Sequence, residues 1–215
     1  MLKPRIKICC IQSIAEAQLA ITYGASAVGL VSEMPSGPGV ISETQIEQIA
    51  SSIPPAIGTF LLTSLYDVDL IVSQQKRCKT NTIQLCDRLA DGSHKELKKQ
   101  LPGISIVQVI HVKDDETIEE AIKISEFVDA LLLDSGNQDL KIKELGGTGR
   151  THDWDISRKI VEKIRKPIFL AGGLNFTNVR VAVERVKPFG IDVCSGVRTN
   201  GQLDKYKLEN FIRAC

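Results

Sequence analysis

Residues 170–179 read LAGGLNFTNV, and this stretch indicates the fold of the whole chain. An apolar run over residues 167–171 stops at Gly172-Gly173, and an amphipathic segment that Asn175 or Thr177 can cap follows at once. A strand that turns directly into a helix through two glycines presents backbone N–H groups at the helix N-terminus, where phosphate is the usual anion. The pattern therefore predicts a phosphate site, and the alternative is a plain tight turn of an α/β protein.

Two further glycine-rich loops follow apolar runs in the last third of the chain. GGTGR occupies residues 146–150, and CSGVR occupies residues 194–198. Each loop can direct backbone N–H groups toward an anion. Three such loops together favour phosphate binding over simple chain reversal.

Around these loops, eight apolar segments alternate with eight amphipathic segments along the chain. The predicted strands are residues 6–11, 25–31, 56–62, 82–86, 104–110, 129–134, 167–172 and 190–196. The predicted helices begin at residues 13, 42, 67, 93, 114, 155, 175 and 204. The strands are continuously apolar, as expected when helices cover both faces of a parallel sheet. Eight βα units predict an α/β fold, a TIM barrel of eight parallel strands with eight outer helices, as one domain over residues 1–215. A doubly wound open sheet is the alternative.

Composition excludes several classes of function. The chain has 27 basic and 26 acidic residues, a net charge of +1, which gives no reason to expect nucleic acid or an anionic membrane as a partner. No apolar run approaches the ~18 residues that span a bilayer, and the N-terminus lacks a signal peptide, so we expect a cytoplasmic protein. The six cysteines show no metal-ligand spacing and no disulfide framework, so we expect no metal site and mostly buried thiols.

The carboxyl ends of the strands form the active site in a barrel of this kind. They offer Cys9 or Cys10 after the first strand and Asp134 after the sixth. A thiolate can serve as a general base and a protonated carboxyl as a general acid, a pair that suits proton transfer on a sugar phosphate. Strand alternation lets only one of the two cysteines point inward, and Lys7 would lie on the same face as Cys9, deeper in the barrel.

The motifs KICCI, IQLCD, DALLLDS, GGTGRTHDW, LAGGLNFTNV and DVCSGV, in this order, resemble the phosphoribosylanthranilate isomerase family of tryptophan biosynthesis, an aromatic amino-acid pathway. The resemblance implies an aldose–ketose isomerase that performs an Amadori rearrangement of N-(5′-phosphoribosyl)anthranilate without a cofactor. It makes Cys9 the general base and Asp134 the general acid. It places the substrate phosphate on backbone groups of the late loops: Gly147, Thr148, Gly172, Gly173, Ser195 and Gly196.

Four departures from the family pattern lie near this site. The glycine of the family's KICG motif is Cys10, the second-loop arginine is Gly39, the QLHG histidine is Cys86, and the glutamate after SGV is Arg198. An arginine fork matches a planar carboxylate, so loss of the second-loop arginine weakens the expected grip on anthranilate. Arg198 is a candidate replacement for this contact, and the alternative is a solvated loop residue.

The departures leave two other functions open. One is an isomerase that acts on a different N-substituted ribosyl phosphate, and the other is a barrel that binds a phosphorylated ligand without turning it over. The retained Cys9 and Asp134 favour catalysis. In each case the expected partner is a small phosphorylated sugar, and the sequence allows either a monomer or a homodimer.

Overall fold

The computed structural model describes residues 3–137, 139–147 and 149–215. Eight parallel strands form a closed barrel in the order of the sequence, which confirms the predicted single-domain TIM barrel. The strands are β1 (Arg5–Ile8), β2 (Ala27–Val31), β3 (Gly58–Thr63), β4 (Thr82–Leu85), β5 (Ser105–His111), β6 (Ala130–Asp134), β7 (Ile168–Leu170) and β8 (Gly190–Val193). The helices are α1 (Ile14–Thr22), α2 (Glu43–Ser52), α3 (Val68–Cys78), α4 (Ser93–Gln100), α5 (Glu116–Ser125), α6 (Trp154–Lys163), α7 (Val179–Val186) and α8 (Lys205–Ala214).

Local capping explains why several helices begin where the sequence predicts. The Ser13 side chain accepts a hydrogen bond from the backbone N–H of Glu16 at the start of α1. At α2, Ser42 and Gln45 form a reciprocal capping box. The Asp67 side chain accepts from the backbone N–H of Leu70 at the start of α3. These contacts satisfy N–H groups that have no partner within the helix.

Two buried layers hold the barrel together. The first, here called the outer layer, packs strand residues such as Leu61 and Ile83 against helix residues such as Phe211 and Ile160, all fully buried. The second, the barrel interior, takes the alternate residues of the strands, among them Leu132 of β6. The two layers occupy opposite faces of the same sheet, as the continuously apolar strands predict.

The chain between β7 and α7 differs from the prediction. The strand does not turn directly into a helix at Gly172-Gly173, because α7 begins only at Val179. Asn175 does not cap a helix: its side chain accepts from the backbone N–H of Thr177, and the Asn178 side chain donates to the Gly173 carbonyl at 3.0 Å. These side-chain bonds stabilise a separate turn, which the sequence pattern does not distinguish from the first turn of a helix.

The segment after β8 is also more irregular than predicted. The strand ends at Val193, and a short 3₁₀ helix (Ser195–Val197) follows it. A two-stranded hairpin of β9 (Arg198–Thr199) and β10 (Gln202–Leu203) then leads to α8. Within the described ranges, no helix has the length and apolar character needed to cross a membrane.

Candidate active site

A cavity with about 670 Å³ of open space lies at the carboxyl ends of the strands. Cys9, Asp134 and Asp192 line it together with the glycine loops. It occupies the end of the barrel at which TIM-barrel enzymes carry their active sites. The two ionisable residues predicted as acid and base are thus brought into one cavity.

Cys9 lies at the end of β1 and is 5% exposed. Its backbone N–H donates to the Val193 carbonyl at 2.8 Å, which continues the pairing of β1 with β8. Burial raises the pKa of the Cys9 thiol to about 11; the charge of Lys7 lowers this pKa and the charge of Asp192 raises it. The thiol is therefore mainly protonated at neutral pH in the absence of a ligand.

Cys10 also lines the cavity, contrary to the expectation that only one of the two cysteines points inward. Its φ angle is +61°, in the left-handed region, and this turn breaks the alternation of side chains at the end of β1. In the cavity wall, Cys10 packs against Gly39, where an added Cβ would lie 2.5 Å from the Cys10 Cβ.

Asp134 ends β6 and is 8% exposed. Its Oδ1 accepts a hydrogen bond from the Ser135 N–H at 2.7 Å. Burial raises the pKa of Asp134 to about 6, and the negative charge of Asp192 adds to the rise. A carboxyl with such a pKa keeps a protonated fraction near neutral pH, as a general acid requires.

The glycine loops meet backbone to backbone on one side of the cavity. Gly172 and Gly173 have φ angles of +82° and +60°. An added Cβ at Gly173 would lie 2.6 Å from the Arg150 carbonyl carbon, and one at Gly196 would overlap the Leu174 carbonyl oxygen. Because these glycines carry no side chains, the backbones of the three loops pack closely together and can also approach a ligand closely.

Of the predicted phosphate-binding residues, Gly147, Gly172, Gly173 and Ser195 line the cavity. Gly196 packs against the Leu174 carbonyl and does not itself line the cavity. Thr148 lies outside the described residues. The loops after β6, β7 and β8 are therefore brought together as expected.

The expectation of unpaired thiols is wrong for two of the six cysteines. Cys10 and Cys194 form a disulfide that links the chain after β1 to the chain after β8. The two residues are 184 positions apart in sequence, but closure of the barrel makes β1 and β8 neighbours. Cysteine spacing alone could not reveal this pairing, because it follows from tertiary structure.

Arg198 does not take the position expected of a substrate contact. Its side chain is buried, and its guanidinium donates to both carboxylate oxygens of Glu16 at 3.0 Å and to the Gly201 carbonyl at 2.8 Å. A further N–H group donates to the Cys10 carbonyl. Arg198 does not line the cavity, so the predicted carboxylate contact is not supported; the residue instead anchors the loop after β1.

Asp192 is a cavity residue that the sequence reasoning missed. It lies on β8, is 7% exposed and forms an ion pair with Lys7 at 2.9 Å. A carboxylate within an otherwise apolar strand was the available signal, since such residues are seldom buried without a charged partner.

The fold and the cavity define the class of this protein: it is a TIM-barrel enzyme whose cavity lies at the carboxyl ends of the strands. Comparison with known sequences then identifies it more closely. The chain belongs to the N-(5′-phosphoribosyl)anthranilate isomerase family, whose model matches residues 6–214. It is accordingly an isomerase.

Individual relatives agree with this assignment. N-(5′-phosphoribosyl)anthranilate isomerase 2 of Methanosarcina mazei is 35% identical over 210 residues, covering 97% of this chain and 92% of that protein. The crystal structure of phosphoribosyl anthranilate isomerase from Thermotoga maritima is similar with a TM-score of 0.83 and 29% identity, covering 99% and 98% of the two chains. A phosphoribosyl anthranilate isomerase in complex with reduced 1-(o-carboxyphenylamino)-1-deoxyribulose 5-phosphate has a TM-score of 0.82 and 26% identity, with the same coverage.

Proposed function

We propose that this chain catalyses the Amadori rearrangement of N-(5′-phosphoribosyl)anthranilate, with Cys9 as general base and Asp134 as general acid. The observation that carries the proposal is the presence of both residues in one cavity, beside the loops that hold Gly172, Gly173 and Ser195. The solved relative with a reduced product analogue supports a small phosphorylated sugar as the substrate class. The proposed chemistry uses no cofactor, because proton transfers to and from the substrate are sufficient for ring opening and for the rearrangement.

The reaction begins at the ring oxygen of the ribose. The protonated carboxyl of Asp134 donates its proton to that oxygen. The bond between the oxygen and the anomeric carbon breaks while the nitrogen lone pair forms the C=N bond, which gives an open-chain protonated imine. Burial favours the neutral carboxyl for this step, because it penalises the charged form. The Cys9 thiolate then removes the proton from the second sugar carbon, and the resulting enolamine tautomerises to the ketone.

The phosphate is held apart from the reacting atoms. Gly172 and Gly173 have the left-handed backbone that turns N–H groups into a concave anion site, and Ser195 begins a 3₁₀ helix on the facing loop. In the proposed complex, backbone donors of these loops hold the phosphate at one end of the cavity. The sugar is thereby positioned for proton transfer at the other end.

A different aglycone is the second candidate, and the wall of the cavity favours it. The charged residues among the described lining are Asp134 and Asp192, both acidic, and Arg198 faces Glu16 instead. Gly39 and Cys86 stand where the family resemblance places an arginine and a histidine. An isomerase of the same chemistry on another N-substituted ribosyl phosphate would use the same acid, base and phosphate loops.

The test is turnover of freshly prepared phosphoribosylanthranilate, followed by the loss of its fluorescence. We expect Cys9→Ser and Asp134→Asn each to lower kcat by about 10²–10⁴-fold, the usual contribution of general acid–base catalysis. Cys78→Ser is the matched control, because Cys78 is a buried thiol on α3 far from the cavity lining. Undiminished kcat in either active-site variant would disprove the assigned role.

The pH profile provides a second readout. The proposed roles require protonated Asp134 and ionised Cys9, whose pKa values are about 6 and about 11. We expect kcat/KM to rise with pH up to the lower pKa, because the thiolate fraction grows while Asp134 stays protonated. Between the two pKa values the thiolate fraction rises as fast as the protonated fraction of Asp134 falls, so kcat/KM stays on a plateau. Above the pKa of Cys9, kcat/KM falls.

The choice of aglycone is decided by comparing substrates. Efficient turnover of the anthranilate derivative supports the first candidate. Turnover of a ribosyl phosphate with another N-substituent, and none with anthranilate, supports the second. Binding of phosphate esters by a folded protein without turnover of either substrate would instead indicate a ligand-binding barrel. The cytoplasmic location and the choice between monomer and homodimer stay predictions.

A further inference from the structure

A buried ion pair lies in the barrel interior at the cavity, which one of its members, Asp192, lines. Lys7 is fully buried on β1, and its Nζ is 2.9 Å from Asp192 Oδ1 on β8. The two residues are direct neighbours in the register of these strands. The Lys7 ammonium also lies 5.2 Å from the centroid of the Phe60 ring, a cation–π contact that eases its burial.

The ammonium of Lys7 is placed directly beside the Cys9 thiol. Lys7 on β1 and Cys9, the residue directly after β1, are two positions apart and point to the same inward side. Both side chains pack over Gly29 of β2: a Cβ built there would lie 2.9 Å from Cys9 Sγ and 3.1 Å from Lys7 Nζ. The sulfur and the nitrogen are thus at most about 6 Å apart, a range at which charges shift pKa values strongly.

Stability alone does not account for this pair. Burying two charges costs about as much as their attraction returns, and apolar residues of similar size often stabilise a protein as well or better. The neighbours of Lys7 in the interior include Phe60 and Ala27, which could accommodate an apolar side chain. Apart from its contact with Asp192, Lys7 Nζ has no hydrogen-bond partner in the described part of the chain.

We propose that Lys7 is a positioning residue for the reaction, whose charge holds a larger fraction of Cys9 as the thiolate and which Asp192 in turn keeps charged and in place. The proposal rests on the proposed function, in which Cys9 is the general base. Lys7 acts through Cys9 and has no contact with the substrate in this scheme. Phe60 and Gly29 provide the space and the aromatic face that the buried ammonium needs.

Four ionisable groups face Cys9 from the surrounding strands: Lys7 of β1, Asp192 of β8, Asp134 of β6 and Cys86 after β4. Lys7 is the only cation among them. Its charge lowers the pKa of Cys9 by more than the charge of Asp192 raises it. Burial is the largest influence on the pKa of Lys7 and lowers it. The charge and hydrogen bond of Asp192, together with the charges of Cys9 and Cys86, raise this pKa by more, so the ammonium persists through the working pH range.

The experiment measures how fast iodoacetamide alkylates Cys9 between neutral and mildly alkaline pH, with the modified peptide identified by mass. The main variant is Lys7→Met/Asp192→Asn, which removes both charges and leaves neither one buried alone. At about 6 Å a unit charge shifts a pKa by roughly one to two pH units, and loss of Asp192 offsets part of this. We expect a rise of about one pH unit and a tenfold smaller thiolate fraction.

Alkylation should then slow at least about threefold, because the higher nucleophilicity of a more basic thiolate recovers part of the loss. The plateau of kcat/KM should fall about tenfold, in proportion to the thiolate fraction. The single variant Lys7→Met should move both quantities in the same direction. Leu132→Val is the matched control: Leu132 is buried in the same interior layer, so the change disturbs packing there without removing a charge or the aromatic contact of Lys7, and it should leave the alkylation profile unchanged.

Two results would overturn the inference. One is an alkylation profile of the double variant that coincides with that of the wild type. The other is an equal slowing in Leu132→Val, which would show that packing, and not charge, controls the thiol. Failure of the proposed function is recognised separately: if Cys9→Ser retains activity while the alkylation profile still depends on Lys7, the thiol is tuned by Lys7 but is not the base.

Discussion

The outer layer and the barrel interior are both buried, yet they differ in chemical character. Leu61, Ile83, Phe211 and their neighbours fill the outer layer with aliphatic and aromatic side chains. The charged residues that are buried in the described chain lie on the strands or on the segments that follow them: Lys7, Asp87, Asp134, Asp192 and Arg198. The outer layer therefore holds the barrel together. Lys7, Asp134 and Asp192 place charged groups in the interior, where burial penalises their charged forms; in the proposed function these groups serve the chemistry.

This difference explains why the two layers respond differently to substitution. Apolar burial contributes about 25 cal/mol per Å², and a side chain removed from the outer layer forfeits this stabilisation and leaves a cavity. A carboxyl buried in the interior costs free energy because its charged form is desolvated. Substitutions in the outer layer should therefore lower stability without changing the chemistry. Those that remove a buried charge from the interior site should change the chemistry and stabilise the fold.

The largest effect on stability is expected for Leu61→Ala in the outer layer. Leu61 is fully buried on β3, and truncation of such a leucine costs about 3–5 kcal/mol. Urea unfolding measures the loss. The kcat of the folded fraction should stay at the wild-type value, because Leu61 points away from the cavity. A large fall in kcat would show that packing in the outer layer affects the chemistry of the interior, so that the two layers do not act separately.

The disulfide at the rim of the interior is expected to have the next largest effect. Cys194→Ser opens a loop of 184 residues and should lower the free energy of unfolding by about 2–4 kcal/mol. Cys10→Ser should cost a similar amount, and the double variant little more, because all three remove one and the same bond. Treatment with a dithiol reductant should bring the wild type to the level of the variants. Additive losses would mean that the two side chains stabilise the protein separately.

The sequence predicted the strands and helices that form the outer layer, but not the side-chain contacts that link distant parts of the chain at the interior and its rim. Strand and helix positions follow from local apolar patterns and from caps such as Ser42, which act within a few residues. The Cys10–Cys194 bond, the Lys7–Asp192 pair and the Arg198–Glu16 contact join positions more than 180 residues apart. They depend on closure of the barrel between β1 and β8, which no local pattern contains.

The candidate site was predictable where its residues end a strand. Cys9 and Asp134 line the cavity because all strands of a parallel barrel present their carboxyl ends at the same face. Arg198 was mistaken for a cavity residue because the hairpin after β8 turns its side chain toward Glu16. The sequence showed which loop carries Arg198 but not the direction of its side chain.

A third prediction is that Asp134→Asn stabilises the protein above pH 6. Folding raises the pKa of this carboxyl from its usual value near 4 to about 6, so the folded state holds the proton more tightly. Stability from this group is present below about pH 4 and is lost as the pH rises to about 6, by up to about 3 kcal/mol in all. Asparagine carries no charge and keeps an oxygen that can accept from Ser135 N–H.

The measurement is urea unfolding of wild type and Asp134→Asn from pH 4 to pH 8. The stability of the variant should exceed that of the wild type at the alkaline end, and the difference should vanish toward pH 4. Activity should be lost over the whole range if Asp134 is the acid. A variant that is less stable at every pH would show that the folded protein accommodates the charged Asp134 carboxylate well. Burial of this charge would then not lower the stability of the fold.

The smallest expected effect concerns Cys10 and Gly39, two departures from the family pattern that meet at the cavity rim. Gly39 has φ +81°, and an added Cβ would lie 2.5 Å from the Cys10 Cβ. Gly39→Ala should cost about 1–3 kcal/mol through overpacking and backbone strain. In a Cys194→Ser background, where the disulfide is already absent, Cys10→Gly should relieve the overpacking and leave only the strain. A double-mutant cycle by urea unfolding should then give a coupling of about 1 kcal/mol.

Additivity within about 0.5 kcal/mol would mean that the two positions changed independently. Coupling would mean that the cysteine at position 10 and the missing side chain at position 39 are one change in packing. Replacement of the second-loop arginine would then be a consequence of how this rim is packed, and the same cycle measured through kcat/KM for the anthranilate substrate would show what that packing costs in recognition.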